Sequence, residues 1–433
     1  MTSQNTLKRR IRARMEKTGE SYTTARRAIV GTPPPPASGA VPGYTRVGGG
    51  THHDSALVSN VLHQMGVTGP HNGEPFSETM LIGLGGGIGV MYFVFEYEGH
   101  LPMLSLILRH HPDDFVVGML TNAGIRHEVS TTSSPRLAAA TLGRVIEAGR
   151  PAICRVTAGA LPYDPRQPIQ GDHYEVGVIG FDSGTALIDD EAPHPHRVTL
   201  QELADARAFT KKEKHRLIEV IDRDPDHDFA TGIRRAIAKT IHNLTEPVLG
   251  NNFDANFGFR GLEKLADELE STKSSGWRRR FTTPDRQFAV LHRMFTGIEL
   301  EWGATGGLRP AYADFLDEAA SVLDRPDLIG AAGRFRAAGK MWQELADLAV
   351  PSAAPGLGRI REVMDLDQAS RITGVSHPVL GPSPFDDLRA EFAAAGGLAE
   401  PELASLLDSM AIGVRQILDV EREAVGRLAE AIG

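Results

Sequence analysis

The stretch that decides the N-terminal fold reads Gly171-Asp-His-Tyr-Glu-Val-Gly-Val-Ile-Gly-Phe-Asp-Ser-Gly-Thr-Ala-Leu-Ile-Asp-Asp190. β-Branched and aromatic residues over 174–181 favour a strand, and Asp182-Ser-Gly184 favours a turn. Residues 185–189 then predict a second strand that pairs back as a hairpin. The apolar run 151–156 predicts a further strand. We therefore expect a sheet in the N-terminal part of the chain.

The ends of this hairpin carry two residues that could do chemistry. His173 opens the first strand and Asp189 closes the second. Adjacent strands can bring such side chains within hydrogen-bonding reach, where the carboxylate orients the imidazole and stabilises its charged form. The alternative is an edge-strand histidine and a turn aspartate with no catalytic role. We take His173 as a candidate base and Asp189 as its orienting residue.

A second group, Thr51-His-His-Asp-Ser-Ala-Leu57, lies at the start of a helix predicted over 55–65. The N-terminus of a helix carries free N–H groups and partial positive charge. A nucleophile can be activated there and an oxyanion held. Asp54 or Ser55 is expected to cap this helix.

Neighbouring histidines and carboxylates also suggest a metal site with two histidines and one carboxylate. The chain offers this pattern in His52-His-Asp54 and again in His110-His111 with Asp113-Asp114. Successive residues of a helix point about 100° apart, so three in a row rarely bind one ion. We expect no metal, and keep a metal-dependent role of His52, His53 and His173 as a third alternative.

The glycine cluster Gly83-Leu-Gly-Gly-Gly-Ile-Gly89 has neither the G-x-G-x-x-G spacing nor the Gly-Lys-Ser/Thr ending of a phosphate loop. A phosphate loop also needs a helix after it, whereas a strand-like run follows these glycines. The pattern favours a tight turn with close backbone approach. We expect no cofactor.

From about Thr199 the pattern is almost purely helical. Helices are predicted over 201–221, 229–244, 262–269, 309–323 and 331–349. A last helix begins near Pro401, a favourable first-turn residue, and its apolar stripe predicts either core packing or the seam of a homodimer. We expect an α+β protein with an α/β domain over 51–205 and a helical domain over 206–433.

The first 50 residues have a different composition. Residues 7–14 carry five positive charges, which favours a solvated basic hairpin or a docking arm for nucleic acid or an acidic partner. Thr32-Pro-Pro-Pro-Pro and Gly48-Gly-Gly50 are typical of a linker, stiff at one end and loose at the other. We expect an arm over 1–31 and a linker over 32–50, both dispensable for folding.

The totals exclude several classes of protein. The net charge is −9, so nucleic-acid binding is not expected outside the basic arm. No apolar run reaches the roughly 18 residues of a membrane span, and the basic N-terminus lacks the apolar stretch of a signal peptide. The only cysteine, Cys154, cannot form an internal disulfide and lies on an apolar strand, where it is typical of core. A reducing, cytoplasmic location fits this usage.

Several ordered blocks carry a resemblance to a known family. They are Asp54-Ser-Ala-Leu57, Asn60-Val-Leu62, Pro75-Phe-Ser-Glu78, Leu81-Ile-Gly-Leu-Gly-Gly-Gly-Ile-Gly89, Tyr92-Phe93, Leu161-Pro-Tyr163 and the His173 strand. Together they resemble the N-terminal domain of butirosin biosynthesis protein H. Residues 308–351, including Tyr312-Ala-Asp-Phe-Leu-Asp-Glu-Ala-Ala320, are similar to the helical domain that often follows it. The resemblance covers most of residues 51–351.

This resemblance implies a papain-like or C39-peptidase-like fold and an acyltransferase of secondary metabolism. The founding member moves an aminoacyl group from a carrier-protein thioester to an amine of an aminoglycoside. The family places a cysteine at the helix start, a histidine opening a later strand, and an Asp or Asn after it. His173 and Asp189 match the last two positions, whereas His53 occupies the cysteine position.

Loss of this cysteine matters because a thiolate is a strong nucleophile and exchanges thioesters readily. Cys154 is a poor substitute in its apolar strand, and Ser55 lies two positions late on another face of the helix. Three alternatives remain: acyl transfer by general-base catalysis without a covalent step, different chemistry at the same cleft, or a catalytically inactive partner protein. The implied partners are an acyl carrier protein and a small amine. The candidate catalytic residues are His53, His173 and Asp189, and the candidate substrate-binding residues are His52, Asp54, Ser55, Gly85, Gly86 and Gly87.

Overall fold

The computed structural model describes residues 39–157, 159–164, 173–209, 212–300, 304–373 and 384–433. The chain forms two compact units, each assembled from separate segments. The sheet unit holds the described residues of Met1–Glu78, Ile125–Asp226 and Met364–Leu380, and the helical unit holds those of Thr79–Gly124, His227–Val363 and Gly381–Gly433. The units therefore differ from the contiguous segments 51–205 and 206–433 that the sequence suggested. The arm over 1–31 lies outside the described residues.

Helices and strands alternate in the first half of the chain, and helices fill the second. The strands are β1 (Ile88–Phe95), β2 (Met103–Arg109), β3 (Ile125–Ser130), β4 (Ala152–Thr157), β5 (His173–Asp182), β6 (Thr185–Asp189), β7 (His196–Thr199) and β8 (Leu217–Arg223). The helices are α1 (His53–Gln64), α2 (Glu78–Leu84), α3 (Phe115–Asn122), α4 (Pro135–Glu147), α5 (Leu200–Ala208), α6 (Phe229–Thr245), α7 (Gly258–Glu270), α8 (Trp277–Arg280), α9 (Pro284–Glu299), α10 (Arg309–Leu323), α11 (Asp327–Ala349), α12 (Ile360–Thr373), α13 (Pro384–Ala394) and α14 (Glu400–Ile432). Two short 3₁₀ helices cover Asn252–Asn256 and Leu357–Arg359. The predicted α+β class is confirmed.

The sheet unit is built on a six-stranded antiparallel sheet with the order β3-β8-β4-β5-β6-β7. Its β5–β6 hairpin is the predicted one, with Asp182 opposite Thr185 across the turn. One face of the sheet buries an apolar core under α4 and α5. This core includes Leu142, Val145, Cys154, Val156, Val176, Val178, Leu203 and Leu217. Cys154 is fully buried in it, which confirms the core prediction for this residue.

Strand β8 corrects the expected helix over 201–221. Helix α5 is closed at its start by a capping box between Thr199 and Glu202 and ends at Ala208. The chain then turns back and inserts β8 between β3 and β4. Its Leu-Ile-Glu-Val-Ile sequence is rich in β-branched residues, which pack well on a pleated surface. The predicted helix over 201–221 ran through the first five residues of this strand.

Residues 39–50, named here the N-terminal strap, correct the expected loose linker over 32–50. Val41 is 5% exposed and Tyr44 is 1% exposed. The backbone N–H of Val41 donates to the Ile179 carbonyl at 2.7 Å, and Ala40 forms a bridge with Gly180. The described part of the linker is therefore packed against β5, and residues 32–38 lie outside the described residues.

The helical unit has its own core. The β1–β2 hairpin contacts α7 through β1 and α9 through β2, and α14 contacts α7 and α11. The apolar stripe of α14, which includes Leu407, Met410 and Val414, is buried. This stripe is therefore part of the core of one chain.

A buried ion pair joins α10 to α14 in the helical unit. The Arg309 guanidinium and the Glu421 carboxylate are both fully buried, with Nε and Oε1 2.7 Å apart. Arg309 also donates to the carbonyl oxygens of Leu108 and Gly307, and Trp342 Nε1 donates to Glu421. Such a pair is tolerated because further hydrogen bonds accompany the ion pair.

No helix among the described residues combines the length and the apolar character that a membrane span requires.

Candidate functional site

His53 is the first residue of α1, and its neighbour His52 caps the helix. The backbone N–H of Ser55 donates to His52 Nδ1 at 3.4 Å, and Ser55 Oγ donates to the His52 carbonyl at 3.0 Å. The expected cap at Asp54 or Ser55 is therefore wrong. Ser55 is fully buried. Its hydroxyl therefore serves to hold the start of the helix through the His52 carbonyl.

The His53 imidazole is held on three sides. Its Nε2 lies 2.6 Å from the Glu175 carbonyl oxygen, and its ring stacks on Tyr174 with centroids 4.3 Å apart. Its Nδ1 lies 3.3 Å from the Tyr174 hydroxyl and 3.5 Å from Asp190 Oδ1. The side chain is 16% exposed. The ring is thus fixed in place with one edge within reach of solvent.

These contacts assign the protons of His53. A carbonyl oxygen only accepts, so Nε2 carries a hydrogen. The Tyr174 hydroxyl donates to Asp190 at 2.7 Å, so it faces Nδ1 with a lone pair and Nδ1 also carries a hydrogen. Burial alone lowers the pKa of His53, but the charges of Asp190, Asp54 and Glu191 outweigh it and raise the pKa above its ordinary value. The network therefore favours an imidazolium.

Asp190 is the acidic centre of this arrangement. Its Oδ1 accepts from Tyr174 and from the Glu191 N–H at 2.8 Å, and its Oδ2 accepts from the Tyr163 hydroxyl at 2.9 Å. Tyr163 stacks on His196 with centroids 3.7 Å apart. Our sequence analysis missed Asp190, Tyr174 and Tyr163 as site residues. The adjacent carboxylates 189 and 190 were the available signal, because successive strand residues face opposite sides and only one of them can face inward.

Asp189 has other partners than the expected ones. It is fully buried and accepts from Tyr44 Oη and the Gly48 N–H, each at 2.5 Å, and from Asn60 Nδ2 at 3.1 Å. It lies opposite Gly177, four residues along β5 from His173, or about 13 Å. The expected pairing of Asp189 with His173 is therefore absent. Burial raises the pKa of Asp189 to about 6, against the opposing effect of its three donors.

His173 lies at the start of β5, opposite Thr157. Its Nε2 is buried and has no hydrogen-bond partner among the described residues. Burial lowers the pKa of His173 below its ordinary value, and the charge of Arg155 lowers it further. His53 bonds the backbone of Glu175, two residues and about 7 Å farther along the strand. The pKa values of these two imidazoles are therefore shifted in opposite directions, upward for His53 and downward for His173.

The glycine turn belongs to the helical unit. Gly86 and Gly87 both have positive φ, and a Cβ on Gly86 would lie 2.6 Å from the His110 ring. A Cβ on Gly87 would lie 2.2 Å from the Tyr312 ring. This packing explains the glycines as the tight turn that the sequence favoured. A substrate-binding role for Gly85, Gly86 and Gly87 stays a prediction.

Within the described ranges, no group of three or more His, Cys, Asp or Glu side chains is placed to hold a metal ion. His52 is engaged at the helix start through its Nδ1, which contacts Ser55 Oγ at 3.2 Å. His53 is engaged by Glu175 and Tyr174. The metal-dependent alternative therefore has no support from the arrangement of His52, His53 and His173.

Two segments of this chain match family models. Residues 52–191 match the model for butirosin biosynthesis protein H, N-terminal. These residues are therefore similar to the butirosin biosynthesis protein H family. The match to the butirosin biosynthesis protein H family contains His53, Tyr174 and Asp190. Residues 201–371 match a domain of unknown function (DUF4872), and comparison with curated proteins gives no match.

Proposed function

We propose that this chain is a cytoplasmic acyltransferase of secondary metabolism that moves an acyl group from a carrier-protein thioester directly to an amine. The similarity of residues 52–191 to the butirosin biosynthesis protein H family supports the reaction class. The assignment of residues rests on the hydrogen bonds that hold the His53 ring and on the opposite directions in which the pKa values of His53 and His173 are shifted. Groups whose surroundings push their pKa values apart are suited to separate acid and base roles.

In this mechanism the acceptor nitrogen attacks the thioester carbonyl while the His173 imidazole takes a proton from that nitrogen. The carbonyl π electrons move to oxygen and form an oxyanion. The oxyanion then collapses, the C–N bond remains, and the C–S bond breaks to release a thiolate. The protonated His173 returns its proton to the thiolate. No covalent bond to the protein forms at any stage.

His53 supplies positive charge for the oxyanion. A charge that is already fixed before reaction is effective because no reorganisation is needed when the oxyanion develops. Asp190 and Tyr174 keep that charge in place, since they hold Nδ1 while Glu175 holds Nε2. With both nitrogens occupied, His53 stabilises charge and does not act as the nucleophile.

Cys154 has no part in this mechanism. It lies in the apolar core of the sheet unit, and burial raises the pKa of its thiol. A buried thiol with a raised pKa is a poor nucleophile because little thiolate is present. Cys154→Ser should therefore leave turnover nearly unchanged.

The test measures thiol release from acyl thioesters of N-acetylcysteamine and of an acyl carrier protein, with a panel of small amines. We expect His173→Gln to lower the rate by about 10²–10⁴-fold, the usual contribution of a general base. His127→Gln is the matched control, because His127 lies on β3, at the edge of the sheet and three strands from β5. Equal rates for His173→Gln and the wild type in the folded state would refute the role of His173.

A second candidate function is a partner protein that binds an acyl carrier protein without turnover, with the basic arm as its docking element. The observation that favours it is the engagement of both His53 nitrogens, which leaves no nucleophile at the family's cysteine position. Fluorescence anisotropy with a labelled carrier protein discriminates the two. Tight binding with no thiol release for any amine would favour the partner protein.

A further inference from the structure

The N-terminal strap makes more contacts with the sheet unit than a linker needs. Near its start, Ala40 and Val41 bond the β5 backbone. Gln64 Nε2, at the end of α1, donates to the Pro42 carbonyl at 2.8 Å. The strap therefore spans from β5 to α1 before the chain enters that helix.

One carboxyl group anchors the middle of the strap. Asp189 accepts from Tyr44 and Gly48 of the strap and from Asn60 of α1. All the side chains involved are buried, with Tyr44 1%, Asn60 7% and Asp189 0% exposed. Asp189 thus joins three elements, the strap, α1 and β6, at a single point.

The anchored end of the strap leads straight into the candidate site. Gly48, Gly49 and Gly50 all have positive φ, a conformation that glycine adopts at little cost. Such a glycine run is freely mobile unless it is held. Here Gly48 is held by Asp189, and the Gly49 N–H donates to the Glu191 carbonyl at 3.3 Å.

Asp189 also lies next to Asp190 in the chain. Asp190 holds His53 through Tyr174 and by direct contact with Nδ1 at 3.5 Å. Residues 51 and 52 connect the end of the strap to His53, which is the first residue of α1. Asp189 therefore fixes both the chain that precedes His53 and the chain that carries its acidic partner.

We propose that Asp189 is a positioning residue, which latches the strap through Tyr44 and Gly48 and so sets the placement of His53 against Asp190. This role replaces that of an orienting partner for His173. It rests on the proposed function only in giving His53 a part in acyl transfer.

The charges that raise the pKa of His53 are those of Asp190, Asp54 and Glu191. Tyr44→Phe removes a hydroxyl donor and no formal charge. A change in the pKa of His53 in this variant would therefore report a change in position. We expect that pKa to fall towards the ordinary value of 6.5, because Asp190 moves away from the ring.

The experiment compares wild type, Tyr44→Phe and Asp189→Asn as full chains. Amide hydrogen exchange reports the strap, and histidine NMR titration reports His53. We expect strap amides to exchange about tenfold faster in Tyr44→Phe, which is the effect of one lost hydrogen bond to a buried carboxyl group. Amides of β3 and β8 should keep their rates. Tyr97→Phe is the matched control, because Tyr97 is 63% exposed.

Unchanged strap exchange in both variants would overturn the latch. Faster strap exchange with an unchanged pKa of His53 would overturn the positioning role and leave the latch. Neither readout requires turnover, so both remain informative if the wild type releases no thiol. If Asp189→Asn fails to fold, Tyr44→Phe decides the question, because it keeps the buried ring.

Discussion

We propose that His53 stands where the family has a cysteine, a replacement that would alter the chemistry of the site while its position in the fold is kept. The helix start and the carbonyl of Glu175 surround the residue. A cysteine there would present a small nucleophile, whereas the imidazole fills the space and contacts Tyr174 and Asp190. In the proposed mechanism the larger side chain contributes positive charge in place of a nucleophile.

Asp190→Asn should lower the pKa of His53. The Asp190 charge is the largest influence that raises it, so its removal leaves burial, which lowers the pKa, less opposed. Histidine NMR titration measures this shift directly. Asp182→Asn is the control, because Asp182 lies at the turn of the same hairpin and pairs with Arg197. A pKa of His53 that is unchanged in Asp190→Asn would contradict the assigned contact.

The same contact predicts a pH dependence of stability. The folded-state pKa of His53 is raised above its unfolded value. Its contribution to stability is therefore fully present below the unfolded pKa of about 6.5 and is lost as pH rises through the folded pKa. Melts of wild type and Asp190→Asn should accordingly differ more near about pH 6 than near about pH 9.

The error over Asp189 has a simple geometric cause. The sequence correctly located the hairpin and its turn, and the turn then sets which residues face each other. Counting back from the turn would put Asp189 opposite Val178, but a register shift between Val178 and Gly180 places it opposite Gly177. His173 extends past the end of the shorter strand. Residue types and strand ends were therefore predictable, whereas the partners of each carboxylate depended on register.

At the scale of elements, the N-terminal strap is the segment whose composition led to a wrong prediction. Its proline and glycine content is typical of a linker, yet Val41 and Tyr44 are buried. A single buried tyrosine with a carboxyl partner is enough to dock such a segment. Helices with long periodic patterns were located well, for example Arg309–Leu323. Strand β8 was missed because one helix was predicted over 201–221, through the first residues of the strand.

Truncation of the N-terminus tests the strap. Removal of residues 1–38 should leave the melting temperature nearly unchanged, as the sequence predicts for the arm. Removal of residues 1–50 should cost about 3 kcal/mol or more, from lost burial of Val41 and Tyr44 and lost donors to Asp189. Urea unfolding of the two truncated chains measures the difference. Equal stability of the two would show that the strap contributes nothing.

At the scale of the whole molecule, the α14 stripe tests whether the chain uses its longest helix for its own core. Leu407 is 1% exposed and Ile412, on the same helix, is 57% exposed. Leu407→Ala should destabilise the protein by about 2–5 kcal/mol, whereas Ile412→Ala should stay within about 0.5 kcal/mol. Urea unfolding measures both changes.

Sedimentation of the two α14 variants completes this test. A stripe that serves the core predicts no change of association state for the folded protein in either variant. If the wild type is a dimer and Leu407→Ala dissociates it without unfolding, the apolar stripe of α14 is a dimer interface, which contradicts the core interpretation.

The order of strands in the sheet unit has a consequence for how this protein is made. Strand β8 lies between β3 and β4, so the sheet stays in two pieces until residue 223 has left the ribosome. Part of the same unit comes from Met364–Leu380, and most of the helical unit is synthesised before it. Domains that form from contiguous sequence can fold in turn during synthesis. Here the nascent N-terminal sheet must wait, with its apolar face available to chaperones, until residue 223 has emerged.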